Sequence, residues 1–331
     1  MKRNTTRVLI VLLTILLIFG SLFFVVKIID NKKNQEMIEY YENVENVNID
    51  YANINGKDYL KKDNIETILF VGLDSYEREI VEDYTNDNFA DYVTLLIVDK
   101  EEKTILPIQI NRDTMCEMDI LGIGGKLAGK DFKQLAFAHT YGSGDIESLI
   151  NVKNAVSKIF YNLNIDYYIS LTMNSVSRVN DAVGGVEVLV EDDFSGIDES
   201  LKMGENITLK GNQALTFVRT RSGLEDSSNV NRMKRQRVYL KALFDKCKEN
   251  SENDKFIYDV LDGVGDSLMS NTSIYDLSDI GNKLLAYRLF DTVTLTGELK
   301  KGETFMECYL NQNDIDSICV RYLFDEIRKG E

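Results

Sequence analysis

The run TILFVGL at residues 67–73 is the first of three short apolar segments that decide the fold. The second is YVTLLIV at residues 92–98, and the third is TILPIQI at residues 104–110. Each segment is short, apolar and bounded by Asp or Lys, which is typical of a strand buried inside a sheet. The three segments therefore predict a sheet at the centre of a folded domain.

Helical and extended patterns alternate after these strands. Asp145 is expected to cap a helix whose apolar residues lie on one face, and further helices are predicted over residues 175–183, about 229–248 and 315–328. Additional strands are predicted at residues 167–171, 186–190 and 292–296. This alternation indicates an α/β fold, a three-layer α/β/α domain with a central mixed sheet. Ligands of such folds bind where loops leave the strand ends.

The N-terminus contains a long apolar run. Val8 to Val26 is a stretch of 19 residues without a charge, preceded by Lys2, Arg3 and Arg7. We expect a transmembrane helix at residues 8–29, because this length crosses the hydrocarbon core and the flanking cations stay inside. The expected topology is single-pass in the cell membrane, with residues 1–7 cytoplasmic and the C-terminal domain extracytoplasmic. A cleaved signal peptide is the alternative, although no clear A-x-A site follows.

The rest of the chain divides into two predicted parts. Residues 30–62 are polar and rich in Asn, Lys and Glu, and they are expected to form a stalk. Residues 63–331 are expected to form the extracytoplasmic domain, with its core at residues 66–245. The four cysteines are scattered without a C-x-x-C pair, so a thiolate zinc site is not expected. Cys308 and Cys319 are the nearest pair, and either a disulfide or buried free thiols would fit.

The charge of the chain excludes one class of function. The 331 residues carry a formal net charge of −16. Residues 1–30 contain four basic residues and one acid. The rest of the chain therefore has 34 basic and 53 acidic residues, a net charge of −19. Duplex DNA binding requires a basic face, so nucleic acid is not an expected partner. The single histidine, His139, excludes a His-rich metal site and is expected to be a hydrogen-bonded structural residue.

Polar residues stand at the ends of the first three strands. Asp74 follows the first strand, Asp91 precedes the second, and Arg112 and Asp113 follow the third. Neighbouring strands would bring these groups to one sheet edge. Magnesium prefers one or two carboxylates plus phosphate oxygens, so Asp74 and Asp91 are candidate Mg²⁺ ligands. The alternative is that these residues only cap strands and turns.

A basic segment interrupts the acidic domain. Residues 212–241 contain seven basic residues against two acids. Arg219 and Arg221 would project to one side of an extended segment. Arg232, Arg235 and Gln236 fall on one face at the start of the long helix, whose N-terminus adds positive charge. Guanidinium groups bind phosphate bidentately, so the segment predicts a diphosphate site, with a solvated basic face as the alternative.

Several motifs together resemble the LytR-CpsA-Psr family. They are TILFVGLDS, INRDT, LAFAHTYGSGD, LNIDYYISL, VNDAVGGVEV, LKGNQALTFVRTR and NVNRMKRQR, in the family's order over residues 66 to about 245. The resemblance implies a membrane-anchored phosphotransferase that moves a teichoic acid or capsular polysaccharide from a polyprenyl (undecaprenyl) diphosphate carrier to peptidoglycan. It also implies an α/β/α domain with a hydrophobic lipid tunnel and a magnesium-associated diphosphate at its mouth.

The resemblance assigns roles residue by residue. Asp74 and Asp91 resemble the family's magnesium-associated and catalytic aspartates, and Arg112 resembles the Arg of its PRD motif and is a candidate for both catalysis and diphosphate binding. The remaining candidates for diphosphate binding are Arg219, Arg221, Arg232, Arg235 and Gln236.

The chain departs from the family pattern at Tyr76, Phe89 and Gln134, where the family often has basic residues. The departures leave open an altered substrate, reduced activity, or replacement of the missing cations by Arg78 or Lys133. Two other functions stay open on the sequence: a non-catalytic polyprenyl-phosphate-binding envelope protein, and a transcriptional attenuator of the cell envelope.

Overall fold

The computed structural model describes residues 32–39 and 51–327. Helix α1 covers residues 32–39 and belongs to a separate unit from the domain that follows. The predicted transmembrane helix at residues 8–29 lies outside the described residues. Within residues 32–39 and 51–327, no helix has both the length and the apolar character needed to cross a membrane.

The domain contains strands and helices over most of its length. The strands are β1 Tyr51–Ile54, β2 Lys57–Lys61, β3 Ile65–Leu73, β4 Ala90–Asp99, β5 Thr104–Ile110, β6 Met115–Leu121, β7 Leu127–Gln134, β8 Tyr167–Leu171, β9 Val186–Leu189, β10 Asn206–Leu209, β11 Leu268–Ser270, β12 Arg288–Leu289, β13 Val293–Thr294, β14 Gly297–Lys301, β15 Met306–Leu310 and β16 Phe324–Glu326. The helices are α2 Ile146–Ile159, α3 Met173–Ala182, α4 Asn212–Arg219, α5 Asn229–Glu249, α6 Phe256–Val264, α7 Ile274–Leu285 and α8 Gln312–Ile318.

A mixed sheet lies at the centre of the domain. Its strand order is β11-β8-β3-β4-β5-β12, and β13 also pairs with β5. Strand β4 is antiparallel to both β3 and β5, whereas β3 with β8 and β5 with β12 are parallel. The three strands predicted first are β3, β4 and β5. The mixed α/β fold with a central mixed sheet is therefore confirmed.

The centre of the sheet is buried on both faces. Every residue of β5 from 105 to 110 is buried, although successive side chains point to opposite faces. On one face, Ile68 and Ile105 pack with Phe244 of α5, Leu261 of α6 and Leu277 of α7. Burial of this apolar surface supplies the main stabilising contribution to the fold.

Local sequence signals fix the two helices that matter most for the site. Asp145 precedes α2 and its side chain accepts a hydrogen bond from Ile146 N, as the sequence predicts. Ser228 caps α5, with its Oγ accepting a hydrogen bond from Asn231 N at 3.1 Å. This cap satisfies an N–H group that would otherwise lack a helical partner.

The prediction of a closing helix over residues 315–328 is wrong. Helix α8 ends at Ile318, residues 319–323 form a π-helical turn, and β16 follows. Strand β16 pairs with β2, so that Phe324 lies opposite Lys61 and is 1% exposed. Pairing with a distant strand therefore overrides the helical period of this segment.

Other regions also differ from the expectations. Residues 51–61, which the sequence places in a stalk, form the β1–β2 hairpin, in which Ala52 and Ile54 are buried. The strand predicted at residues 186–190 pairs with β10 in a separate ribbon, and the one at 292–296 shortens to β13. All four cysteines are free thiols, so Cys308 and Cys319 are not joined.

Candidate active site

The two candidate aspartates lie at the same edge of the sheet. Asp74 follows β3, Asp91 is the second residue of β4, and a register irregularity in the β3–β4 pairing lies beside them. Asp74 N donates to Phe89 O at 3.0 Å, and Asp74 Oδ1 accepts from Phe89 N at 2.7 Å. Next to this pair, Gly72 lets β3 approach Tyr92 of β4, because a Cβ on residue 72 would lie 2.9 Å from Tyr92 Cβ.

Asp91 is held between two arginines. Arg232 Nη1 of α5 lies 2.6 Å from Asp91 Oδ2, and Arg112 Nη1 contacts Asp91 Oδ1. Arg112 stands just beyond β5, while Arg232 lies in the first turns of α5. The carboxylate therefore ties the end of β5 to the start of the long helix, as the strand-end argument predicts for Arg112.

A pair of asparagines supports this connection. Asn229 Oδ1 accepts from Arg232 Nη2 at 2.7 Å, and Asn229 Nδ2 donates to Asn111 Oδ1 at 2.8 Å. No sequence motif predicts this contact for either residue. Their signals were weak, because Asn111 only precedes Arg112 in INRDT and Asn229 only begins the helix.

Arg219 and Arg221 lie in a different backbone conformation from the one expected. Arg219 is the last residue of helix α4, and extended backbone begins at Thr220, so the extended segment predicted for the pair is wrong. The helix forms because Ala214 and Phe217 are buried at helical spacing. Both arginines are exposed. Arg219 and Asp74 both line the entrance, or mouth, of a cavity that runs along α5 and is described below.

Burial moves the pKa values of the charged groups around Asp74 and Arg112 in the direction that favours their neutral forms. It raises the pKa of Asp74 and of Asp113, with the nearby arginines acting in the opposite direction. It lowers the pKa of Arg112, and the neighbouring charge of Arg232 lowers that pKa further. Although the Arg221 side chain as a whole is exposed, partial desolvation of its guanidinium and the nearby charge of Arg232 lower its pKa. Partly buried guanidiniums that repel one another favour an added anion.

Arg235 lies away from these groups. Its Nε donates to Phe217 O at 2.8 Å, its Nη1 lies 2.5 Å from Asp192 Oδ2, and its Nη2 donates to Thr220 O. The side chain is buried and does not line the cavity. The structure therefore does not bring Arg235 to the predicted diphosphate position. It holds the segment that carries Arg219 and Arg221.

Gln236 does face the cavity. Its Oε1 accepts from Gln109 Nε2 at 3.2 Å, and Gln109 Oε1 accepts from Arg237 Nη1 at 2.9 Å. Gln236 therefore belongs to a chain of polar contacts between β5 and α5. It lies at the boundary between the charged mouth and the apolar interior.

A cavity of about 400 Å³ opens behind the mouth. It follows α5 from Arg232 to Cys247, a distance of about 22 Å along a helix. Its mouth contains Asp74, Asp91, Arg219, Arg232 and Gln236, and its interior includes Phe70, Leu96, Val179, Leu240, Leu243, Phe244, Ile257, Leu284 and Leu289. The cavity thus combines a charged entrance with an apolar interior.

The positions that depart from the family pattern have other contacts. The ring centroid of Phe89 lies 5.8 Å from Arg112 Cζ, and Gln134 Nε2 donates to Met306 O at 3.3 Å. Lys133 Nζ lies 2.7 Å from Asp131 Oδ2.

His139 Nδ1 lies 3.0 Å from Asn88 O, and burial lowers the pKa of His139 to about 4. His139 is therefore neutral and structural at neutral pH, as expected.

The fold and site define a class of binding protein. An apolar cavity beneath partly buried guanidiniums suits a molecule with an anionic head and an apolar tail. The model of the LytR_cpsA_psr family matches residues 22–319. The chain belongs to this family.

Several known proteins are similar to this chain. The polyisoprenyl-teichoic acid–peptidoglycan teichoic acid transferase TagU of Halalkalibacterium halodurans is 28% identical over 235 residues, which cover 70% of this chain and 69% of TagU. The protein of the same name from Enterococcus faecalis is 26% identical over 249 residues, which cover 75% of this chain and 73% of that protein. A solved structure described as TagT bound to LI-WTA has a TM-score of 0.59 at 22% identity, covering 77% of this chain and 88% of TagT. That likeness confirms the fold.

Proposed function

We propose that the protein is a phosphotransferase that moves an anionic glycopolymer from a polyprenyl diphosphate carrier to peptidoglycan. The glycopolymer would be a teichoic acid or a capsular polysaccharide. Relatives in the family are named as transferases of teichoic acid from a polyisoprenyl carrier to peptidoglycan, which supports this choice. The proposal includes a transmembrane helix at residues 8–29 that anchors an extracytoplasmic domain with three layers.

The observation that carries the proposal is the group of arginines beside the mouth of the apolar cavity. We call Arg112, Arg219, Arg221 and Arg232 the guanidinium cluster. The polyprenyl chain would occupy the cavity, and the diphosphate would contact Arg112, Arg219, Arg221 and Arg232. Seven buried side-chain polar atoms have no hydrogen-bond partner among residues 32–39 and 51–327, and three of them can donate close to Asp74 or the cavity: Arg232 Nε, Ser75 Oγ and Thr172 Oγ1. Leaving buried donors unpaired costs free energy, and phosphate oxygens would accept their hydrogen bonds.

Magnesium fits the donor set at Asp74. In the described part of the chain, Asp74 has no ion-pair contact, whereas Asp91 is bonded to two arginines. No group of three or more His, Cys, Asp or Glu residues in that part could hold a metal by itself. Mg²⁺ is commonly held by one or two carboxylates together with substrate phosphates, so Asp74 would bind it, with Asp91 as the second candidate ligand. When bound, the ion would neutralise charge on the phosphate oxygens.

The reaction would be a displacement at phosphorus. A sugar hydroxyl of peptidoglycan attacks the phosphorus that bears the glycopolymer, and the new O–P bond replaces the bond to undecaprenyl phosphate, which leaves. Asp74 or Asp91 would accept the hydroxyl proton. Such catalysis depends on positioning and charge stabilisation, which arginines provide. Arg235 would act as a positioning residue for Arg219 and Arg221.

The double variant Arg219→Ala with Arg221→Ala tests this mechanism. Loss of two charge-stabilising donors is expected to lower the rate of polymer transfer from a lipid-diphosphate donor by at least about 100-fold. The matched control is Lys241→Ala with Lys246→Ala, which removes one exposed and one half-buried cation of α5 that pair with Asp245 and Glu249.

A transfer rate equal to that of the wild type in the Arg219/Arg221 variant would refute the mechanism. Binding of the lipid diphosphate by the wild type without any turnover would instead identify a non-catalytic carrier-binding protein. A reporter fused to the C-terminus that proved cytoplasmic would contradict the proposed topology and revive a role as a transcriptional attenuator.

A further inference from the structure

Three phenylalanines form a continuous series of ring contacts that begins at the candidate active site. Phe89 and Phe137 are in edge-to-face contact with ring centroids 5.0 Å apart, and Phe137 and Phe305 follow at 5.8 Å. Arg112 Cζ lies 5.8 Å from the Phe89 centroid. We call Phe89, Phe137 and Phe305 the aromatic ladder. It leads from the guanidinium cluster to the protein surface.

The outer end of the ladder is open to solvent. Phe305 is 54% exposed, and Phe89 and Phe137 are partly exposed. A phenylalanine confined to core packing would be buried, because exposed aromatic surface contributes no hydrophobic stabilisation. Phe305 and the two partly exposed rings beside it form a contiguous aromatic surface, which is the kind of surface that contacts ligands.

Hydrogen-bonding groups lie along one side of the ladder. Lys133 Nζ is 6.0 Å from the Phe137 centroid and 5.7 Å from the Tyr141 centroid. It donates to Tyr141 Oη at 3.1 Å, and Tyr141 Oη donates to Asp131 at 2.7 Å. The surface thus combines flat apolar rings with an ammonium, a phenol and a carboxylate.

The backbone connects the ladder to the reaction site at both ends. Phe89 N and O bond to Asp74, as described above. Phe305 lies at the tip of the β14–β15 hairpin, which is joined to the end of β5 because Cys308 N donates to Asp113 O at 2.8 Å. The ladder is therefore fixed in position relative to Asp74 and Arg112, and it is continuous with the mouth of the cavity.

The chemistry of this surface matches a sugar chain. A pyranose ring presents C–H groups on its face and hydroxyl groups around its edge. Aromatic rings contact the C–H faces, and ammonium, phenol and carboxylate groups bond to the hydroxyls. The attacking group of the proposed reaction is itself a sugar hydroxyl, and it must reach the phosphorus beside Arg112.

We propose that the aromatic ladder binds the glycan strand of the acceptor beside the diphosphate site. This inference rests on the proposed transferase function. It also gives a role to Phe89, which stands where relatives of the family often have arginine. The ring exchanges one phosphate-binding cation for contact with the acceptor sugar.

Phe305→Ala tests the ladder, because this side chain is exposed and lies in a hairpin turn. In transfer assays with full-length protein, the KM for the acceptor is expected to rise about 2- to 10-fold, which corresponds to the loss of one aromatic contact. The kcat and the KM for the lipid-linked donor should stay unchanged. Phe305→Tyr should restore the acceptor KM, whereas Tyr275→Ala, which removes another exposed aromatic side chain, should leave it at the wild-type value.

Direct binding separates failure of this inference from failure of the proposed function. The probe is a β-1,4-linked N-acetylglucosamine tetrasaccharide, titrated into full-length protein in detergent without any donor. Weaker binding by Phe305→Ala than by wild type supports the ladder even if no transfer is detected. An unchanged acceptor KM with normal transfer overturns the ladder alone. Absence of tetrasaccharide binding by the wild type also overturns it.

Discussion

Two arginine–carboxylate pairs on the same helix have different environments. Arg232 pairs with Asp91 at the cavity mouth, and Arg235 pairs with Asp192 one turn further along α5. Both arginines are buried, but their remaining contacts differ. Arg235 has bonds from Nε and both Nη atoms to protein oxygens, whereas Arg232 Nε has no hydrogen-bond partner in residues 32–39 and 51–327.

The difference separates a structural clamp from a site that is prepared for an anion. A guanidinium whose three nitrogens all bond to the protein has less to offer a ligand, because binding would first break buried hydrogen bonds. A guanidinium with a free donor gains a bond when phosphate arrives. We therefore expect the Arg235–Asp192 pair to stabilise the fold and propose that the Arg232–Asp91 pair binds the substrate, and the following experiments test this division.

The largest expected effect on folding is that of Arg235→Ala. This change leaves the carbonyls of Phe217 and Thr220 without the Arg235 donor, and it leaves Asp192 with the amide of Asn231 but without its ion pair. The free energy of unfolding should therefore fall by about 3–5 kcal/mol. Urea unfolding followed by circular dichroism measures the change. Lys234→Ala is the control, since its pair with Glu191 is exposed and should contribute less than about 1 kcal/mol. Equal stability of Arg235→Ala and wild type would remove the distinction between the two pairs.

Arg232→Ala should show the opposite balance. Asp91 keeps its contact with Arg112, so the loss of stability should be smaller than for Arg235→Ala. The rate of polymer transfer should nevertheless fall about 100- to 1000-fold, because a donor to the diphosphate is lost. Both quantities are measured on the same preparation. A stability loss as large as that of Arg235→Ala would mean that Arg232 is also a structural clamp.

Substituting the carboxylates gives a third, smaller contrast. In Asp91→Asn, Arg112 and Arg232 lose their counter-charge but remain at the mouth, so added inorganic pyrophosphate should raise the melting temperature more than in the wild type. In Asp192→Asn the pyrophosphate response should match that of the wild type, because Arg235 keeps its carbonyl bonds inside the protein. Thermal unfolding with and without pyrophosphate decides this, and a larger response in Asp192→Asn would reverse the assignment.

The smallest expected effect concerns the pH dependence of stability at the mouth. Burial raises the pKa of Asp113 above its usual value, so the native state binds this proton more tightly than the unfolded state. The ionised Asp113 side chain therefore lowers the free energy of unfolding by an amount that grows as pH rises from about 3.8 to the raised pKa and stays constant above it. The stability of Asp113→Asn relative to wild type should rise over the same interval. Urea unfolding between pH 4 and 7 measures this. A difference in the free energy of unfolding between the two proteins that does not change with pH would show that burial does not raise the pKa of Asp113.

Much of the central architecture was predictable because its signals are local. Strands β3, β4 and β5 are short apolar runs with polar ends, and α2 carries a capping Asp145 and an apolar face. The peripheral β6–β7 and β14–β15 hairpins gave no such signal. Strands β7 and β14 expose much of their surface, as the five exposed residues of β14 show, so their sequences lack a continuous apolar pattern.

The candidate site was predictable to a similar extent. Asp74, Asp91 and Arg112 could be placed together because neighbouring strand ends meet at one edge. The separation of Arg232 from Arg235 could not be predicted, since both fall on one face at the start of α5. The decisive partner of Arg235 is Asp192, a residue distant in sequence.

The sequence by itself determined which strands are buried and which charged residues stand at their ends. It also carried the resemblance to the family, because motifs are read locally. Only the tertiary structure decided which arginines are already satisfied by the protein and which keep donors for a ligand. The same holds for the contact between Phe89, Phe137 and Phe305. These properties depend on distances between segments far apart in the chain, and such distances are set by packing rather than by local pattern.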